Sequence, residues 1–278
     1  MSPMSTTALA GSPATAPPPP RSVRRRTGSR FAFLRRWVSP VVIIAIWQLL
    51  CSTGVIDPRT MASPAQIAST AVDLIQDGTL GTETLISLQR VVLGLLIGGS
   101  IGMLLAIVAG LSRIGDDAID PPMQMQMLRT LPHLGLISLF ITWFGLGETP
   151  KVALIALGAC FPLYLNTLGG IRGIDRKSLE AARSMHLTRR QQIRHVVLPG
   201  ALPQTLVGLR QSLGIAWLSV IVAETIGADT GLGAMINQAR EFNQTDVIVV
   251  GLAVYAVLGL STDALVRYLE RRALVWRA

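Results

Sequence analysis

The chain has 278 residues, 50% of them hydrophobic and only 15% charged. A soluble domain carries roughly 25% charged residues, so a mean hydropathy of +0.49 excludes an ordinary soluble fold and points to a polytopic membrane protein. The formal net charge is +9, but the basic residues flank apolar runs and lack interleaved aromatics, which reads as membrane-helix flanks and not as a nucleic-acid surface.

Residues 1–36 read as a disordered, basic cytoplasmic tail. Pro17 to Pro20 precede Arg21, Arg24, Arg25, Arg26 and Arg30, and nothing there can bury a core. The basic region is too long for a signal peptide, and no A-x-A-like site follows the first apolar run, so that run reads as a retained signal anchor. Residues 37–278 read as one all-helical transmembrane domain. Its six predicted spans lie at about 37–56, 85–111, 124–146, 150–171, 205–226 and 246–266. Cys51 and Cys160 both fall in apolar runs with no CxxC pair, and read as small core residues.

Basic residues set the expected orientation. Arg21, Arg24, Arg25, Arg26, Arg30, Arg35 and Arg36 precede the first span. Arg172, Arg176, Lys177, Arg183, Arg189, Arg190 and Arg194 cluster between the fourth and fifth, and Arg267, Arg271, Arg272 and Arg277 follow the last. The alternate connections hold only Arg59, Lys151 and Arg240. Both termini and the 172–204 loop are therefore expected in the cytoplasm.

The second span carries Gly94, Gly98 and Gly102 at four-residue spacing, which suits close helix packing. Ordinary glycine enrichment of membrane helices is the other reading. No Asp, Glu, Lys or Arg occurs within Val38–Ile56, Val91–Leu111, Leu131–Gly147, Val152–Ile171, Ser212–Ala223 or Val247–Thr262. Proton- and ion-coupled carriers place ionisable groups near the midplane; with none there, energy has to come from another chain or solute moves passively. Glu224 reads either as lining the outer vestibule or as an interfacial charge. Asn166, Gln211, Ser219, Trp143 and Trp217 are polar or amphipathic groups at membrane depth that read as bonds to neighbouring helices or as an aromatic belt, and none is assigned to solute.

The most ordered cytoplasmic stretch runs from Asp175 to Pro203 and reads as two short helices. Asp175 caps the first, and Glu180 and Arg183 lie one turn apart, a pairing worth about 0.2–0.5 kcal/mol. Ala181 and Ala182 leave a smooth face for another surface. Thr188-x-x-Gln191 is a capping box that starts the second helix, and Pro199 is expected to stop it. Arginines on a helix–turn–helix invite a DNA-binding reading, but the position between two spans and the apolar residues Leu179, Ala182, Met185, Ile193, Val196 and Val197 favour packing against protein.

This stretch resembles the permeases of binding-protein-dependent ABC importers, which carry Glu-Ala-Ala, three residues, Gly, nine residues, Ile, one residue, Leu-Pro. Glu180-Ala181-Ala182, Leu198 and Pro199 match in register, while His186 replaces the Gly and Val196 the Ile. Histidine is among the residues tolerated at positive φ, so the turn is expected to survive at some strain. Ser87-Leu-Gln-Arg90, Trp143-Phe-Gly-Leu-Gly-Glu148, Val222-Ala-Glu224, Gly231-Leu-Gly and Ala239-Arg240-Glu241-Phe242 resemble the aliphatic sulfonate, taurine and nitrate branch, the sulfonate permeases above all.

The resemblance implies the six-span permease fold of a type I importer in the cell inner membrane, lying in the lipid bilayer. It implies a pathway shared with a second copy of itself, two ATPase subunits, and an extracytoplasmic substrate-binding protein. Glu180, Ala181, Ala182, Arg183, Met185, His186 and Leu187 would couple to the ATPase, with Asp175, Thr188, Gln191, Leu198 and Pro199 shaping the elbow. No cofactor is expected on this chain; ATP and magnesium belong to the partner. Lys177-Ser178 lacks a glycine-rich turn, so no phosphate loop is present. His133, His186 and His195 show no metal spacing, and no Gly-x-Ser-x-Gly elbow occurs. The implied solute is an aliphatic sulfonate, with taurine, nitrate or another small anion as the alternative. A membrane-embedded enzyme and a membrane-anchored regulator are the readings from other classes.

Overall fold

The computed structural model describes residues 30–57, 60–119 and 132–275. The predicted tail up to residue 29, Arg59, the start of the third predicted span at 124–131 and Arg277 lie outside the described residues. Among the described residues every regular element is helical. The chain divides into Met1–Ala45 and Ile46–Ala278.

The described residues form ten helices, in chain order α1 (Arg30–Ser52), α2 (Pro64–Gln76), α3 (Thr79–Leu111), α4 (Arg113–Ile119), α5 (Ile137–Phe144), α6 (Glu148–Arg172), α7 (Arg176–Ser184), α8 (Arg189–Gly227), α9 (Leu232–Glu241) and α10 (Thr245–Ala273). A 3₁₀ turn, His133–Leu136, leads into α5. Of these, α3, α6, α8 and α10 are long and apolar enough to cross a membrane, while Val38–Ser52 and His133–Phe144 are shorter apolar helices. In lipid a spanning segment must satisfy its own backbone groups, which is why the apolar runs are helical throughout.

At the centre of the bundle α6 lies between α3 and α8. On the α3 side, a Cβ on Gly98 would stand 1.9 Å from the Ala156 carbonyl oxygen, one on Gly102 2.4 Å from that of Cys160, and one on Gly94 2.4 Å from Ile155 Cγ2. The two backbones therefore touch, and dispersion between them replaces the hydrophobic drive that lipid cannot supply. On the other side the Ser212 hydroxyl donates to the Ala159 carbonyl at 2.7 Å, and the Asn166 amide donates to Gln211 at 3.0 Å and accepts from Gln204 at 2.9 Å. The Trp217 indole donates to Thr262 at 3.1 Å and its ring meets Tyr255 edge-on, tying α8 to α10. Val91, Ile155, Ala216, Val220, Leu232, Val250 and Tyr255 form the main apolar core. Amphipathic α2, capped by Ser63, rests on the first turn of α10, where Thr70 donates to Asp246 at 2.7 Å.

Pro199 does not stop a helix. Residues 189–227 are continuous, with a π turn at Ile193–Val197 in which the Leu198 amide reaches back to the Ile193 carbonyl. The widened turn sits directly before the proline and relieves the clash and missing amide that would otherwise break the helix. Pro203 is likewise interior. The elbow thus leads from one short helix straight into a long one.

Candidate functional site

Two constructions stand out at opposite ends of the helices. The first is the elbow between α6 and α8. Asp175 caps α7 by accepting from the Lys177 amide at 3.0 Å. At the other end Leu187 donates to the Ala182 carbonyl at 3.1 Å and His186 to the Arg183 carbonyl at 2.9 Å. This is the Schellman arrangement, and its left-handed position is filled by His186 at φ 55°. The glycine position of the permease pattern is therefore the residue that must turn left-handed, and histidine adopts it at a cost of about 1–2 kcal/mol relative to glycine. Thr188 and Gln191 form a reciprocal capping box at the start of α8.

The elbow is packed against the bundle. Ile174 and Leu179 lie on the cluster of Ile171, Val197 and Ala201, and the Arg189 guanidinium donates to the Leu111 carbonyl, an otherwise free acceptor at the end of α3, at 2.7 Å. Glu180, Ala181, Arg183 and His186 are exposed, and Met185 is 73% exposed. Ala182 is turned inward at 3% exposure, so the smooth outward face belongs to Ala181. Glu180 and Arg183 make no ion pair, both side chains pointing to solvent among the described residues. Leu198 is partly exposed on the far side of the π turn and Pro199 half-buried.

The second construction is a buried charged hub formed by Ser87 and Arg90 of α3, the start of α6, the end of α8, the start of α9 and Tyr255, about three turns into α10. Arg90 clasps Glu148 with two hydrogen bonds of 2.6 Å, and donates to Glu224 and to the Thr230 carbonyl at 2.7 Å each. Glu224 is fully buried and also accepts from Ser87, from the Gly233 amide and from the Tyr255 hydroxyl, each at 2.8 Å. Lys151 joins from the side, 3.0 Å from Glu148. Glu83 accepts from the Gly231 amide. Gly231 has φ 102°, and a Cβ there would fall 2.4 Å from Glu224 and 2.5 Å from Arg90, so only glycine fits.

Both sequence readings of Glu224 are overturned: it neither lines a vestibule nor sits solvated at the membrane edge. Its complete set of donors offsets the cost of burying a carboxylate. The charge-free windows stop just short of this hub, so ionisable groups do lie inside the helices, paired with one another. Ser87, Arg90, Glu148, Glu224 and Gly231 all belong to the segments that carried the branch resemblance and converge here, but nothing in those segments showed that they pair with one another. Among the membrane-depth polar groups, Asn166, Gln211 and Trp217 bond neighbouring helices, Ser219 donates to Ile215 of its own helix at 2.8 Å and lies 3.5 Å from His133 Nε2, and Trp143 is 64% exposed. No group of histidine, cysteine or carboxylate side chains among the described residues is arranged to hold a metal.

Residues 98–275 match the family described as binding-protein-dependent transport system inner membrane component. The chain is 46% identical, over 92% of both chains, to a putative aliphatic sulfonates transport permease protein of Bacillus subtilis (strain 168). This chain belongs to that family. The permease is also 47% identical to the corresponding protein of Escherichia coli (strain K12), over 86% of this chain and 90% of that one, and 33% identical to the taurine transport system permease protein of the same organism over 84% and 86%. Among solved structures it resembles an amino acid ABC transporter chain (TM-score 0.58, 23% identity, 68% of this chain and 92% of the other) and a chain of the MetNI methionine ABC transporter in inward-facing form (0.55, 21%, 73% and 97%). Those two likenesses concern the fold. The permease is thus an inner-membrane transport subunit of an ABC importer and not an enzyme; its ATPase is a separate chain, and a substrate-binding protein belongs to the same system.

Proposed function

We propose that the permease forms, with a second copy of itself, the membrane pathway for uptake of aliphatic sulfonates, driven by two ATPase subunits that grip the elbow after α6. What carries the solute class is the identity of 46% and 47% to two sulfonate permeases, against 33% to a taurine permease and 30% to a nitrate import permease. Taurine is itself a small sulfonate, which makes it the nearest alternative.

In this reading the basic elbow and both termini face the cytoplasm, and six spans cross the membrane. Glu180, Ala181, Arg183, Met185 and His186 present the surface that meets the ATPase, while Ala182 and Leu187 hold that surface to the bundle. Asp175, Thr188 and Gln191 fix its two caps, and the turn before Leu198 and Pro199 passes its motion into α8. ATP and magnesium stay in the partner; this chain binds no cofactor. Shifting a pathway from mostly one access state to mostly the other takes about 5.5 kcal/mol, which nucleotide-driven closure of a partner dimer can deliver only through a stiff contact.

Growth tests the solute. A strain lacking this chain is expected to stop growing on an alkanesulfonate as sole sulfur source and to recover on sulfate or when the chain is restored. Unchanged growth on alkanesulfonates, with loss on taurine or nitrate, would reassign the solute.

A further inference from the structure

Away from both the elbow and the hub, a cavity of about 590 Å³ opens between α8 and α10, lined by Arg210, Arg267, Glu270, Arg271, Leu274 and Val275. Its charges are unbalanced. Asp263 alone serves two guanidinium groups, that of Arg210 at 2.5 Å and that of Arg267 at 3.0 Å. Arg271 has no ion pair among the described residues. Three arginines therefore face two carboxylates, and one guanidinium in the lining has its donors unengaged.

Depth identifies the surroundings. Arg210 lies about 25 Å along α8 from its end at Gly227, and Asp263 about 27 Å along α10 from its start at Thr245, at 1.5 Å per residue. Both distances approach the roughly 30 Å of a bilayer's hydrocarbon core. With the end of α8 and the start of α10 at one face of the membrane, this cavity lies at headgroup level on the other. The flanks agree: Leu260 on the membrane side is 67% exposed, while Tyr268 is half-exposed with the Arg272 guanidinium 5.1 Å from its ring, the arrangement of an interfacial belt.

We propose that this cavity seats the phosphate headgroup of an anionic phospholipid, with Arg267 and Arg271 as its ligands. Arg210, held by Asp263, supplies fixed positive charge behind them. On the membrane side Leu260, seven residues before Arg267 on the same face of α10 and largely exposed, offers the apolar surface that the glycerol and upper acyl carbons of a lipid need and that free phosphate would not use. The site owes nothing to the solute or to the ATPase contact, so it stands whichever anion is carried.

Native mass spectrometry of the full complex released from nanodiscs tests it. From equimolar phosphatidylglycerol and phosphatidylcholine, the wild-type permease is expected to retain phosphatidylglycerol selectively. Arg267→Gln with Arg271→Gln should weaken that retention roughly 30-fold, about fivefold per charge removed, whereas Arg240→Gln on α9 should leave it unchanged. Equal retention of the two lipids by wild type overturns the proposal, and that arm needs no variant to fold. So does wild-type retention by the double variant, or displacement of the lipid by millimolar inorganic phosphate.

Discussion

Glu224 and Glu148 share one guanidinium but differ in what losing them costs. Glu224 has no exposed side-chain surface, while Glu148 is 60% exposed. Replacing Glu224 with Ala leaves Arg90 buried without its inner partner and should cost about 3–5 kcal/mol. Replacing Glu148 with Ala should cost about 0–1 kcal/mol, because water takes over much of its role. Thermal unfolding of both variants in detergent measures the difference; equal shifts would mean that the hub is not the anchor described. His186→Gly works in the opposite direction. It relieves the left-handed strain and should raise stability by about 1 kcal/mol, read in the same experiment, and a loss would show that the imidazole makes a compensating contact. The left-handed turn was legible in the sequence because register with a known pattern marks the position. The hub was not, because the Arg90–Glu224 contact joins residues 134 positions apart and each, taken singly, looks like a charge at a helix edge.

At the scale of elements, helix packing separates glycines that are neighbours in sequence. A Cβ on Gly98 collides with the Ala156 backbone, which cannot yield without moving α6 away from α3. A Cβ on Gly99 meets only a methyl of Leu163 at 3.3 Å, the end of a flexible side chain. Gly98→Ala should therefore destabilise by about 1–3 kcal/mol, while Gly99→Ala stays close to neutral. Expression and melting temperature of the two variants decide it, and equal tolerance would mean that the backbones are farther apart. Spacing alone showed which face was small, yet it did not distinguish a contact from simple glycine enrichment. Caps at Asp175, Thr188 and Gln191 were readable because each acts within one turn. Pro199 misled, since the rule that proline ends a helix holds only when the preceding turn keeps its α geometry, and the π turn at Ile193–Val197 is a cooperative property of the whole segment.

For the whole molecule, the apolar runs and the Glu180–Pro199 pattern made fold and family legible from sequence. The amphipathic helices α2 and α9 were missed: neither has an apolar run long enough to stand out, and both are held by what they rest upon. The central claim is mechanical, that work from the ATPase enters through an exposed helix stapled to α6, α8 and the end of α3. Ala181→Arg places a long charged side chain on the outward face without touching the caps, so the permease should still insert and fold while losing its partner. The decisive measurement is alkanesulfonate accumulation in proteoliposomes containing the substrate-binding protein, comparing permease alone, permease with its ATPase, and the Ala181→Arg permease with that ATPase. Accumulation against a gradient only in the second case, and only with ATP, is the predicted result. Concentration of solute by the permease alone, or normal transport by the Ala181→Arg permease, would contradict it.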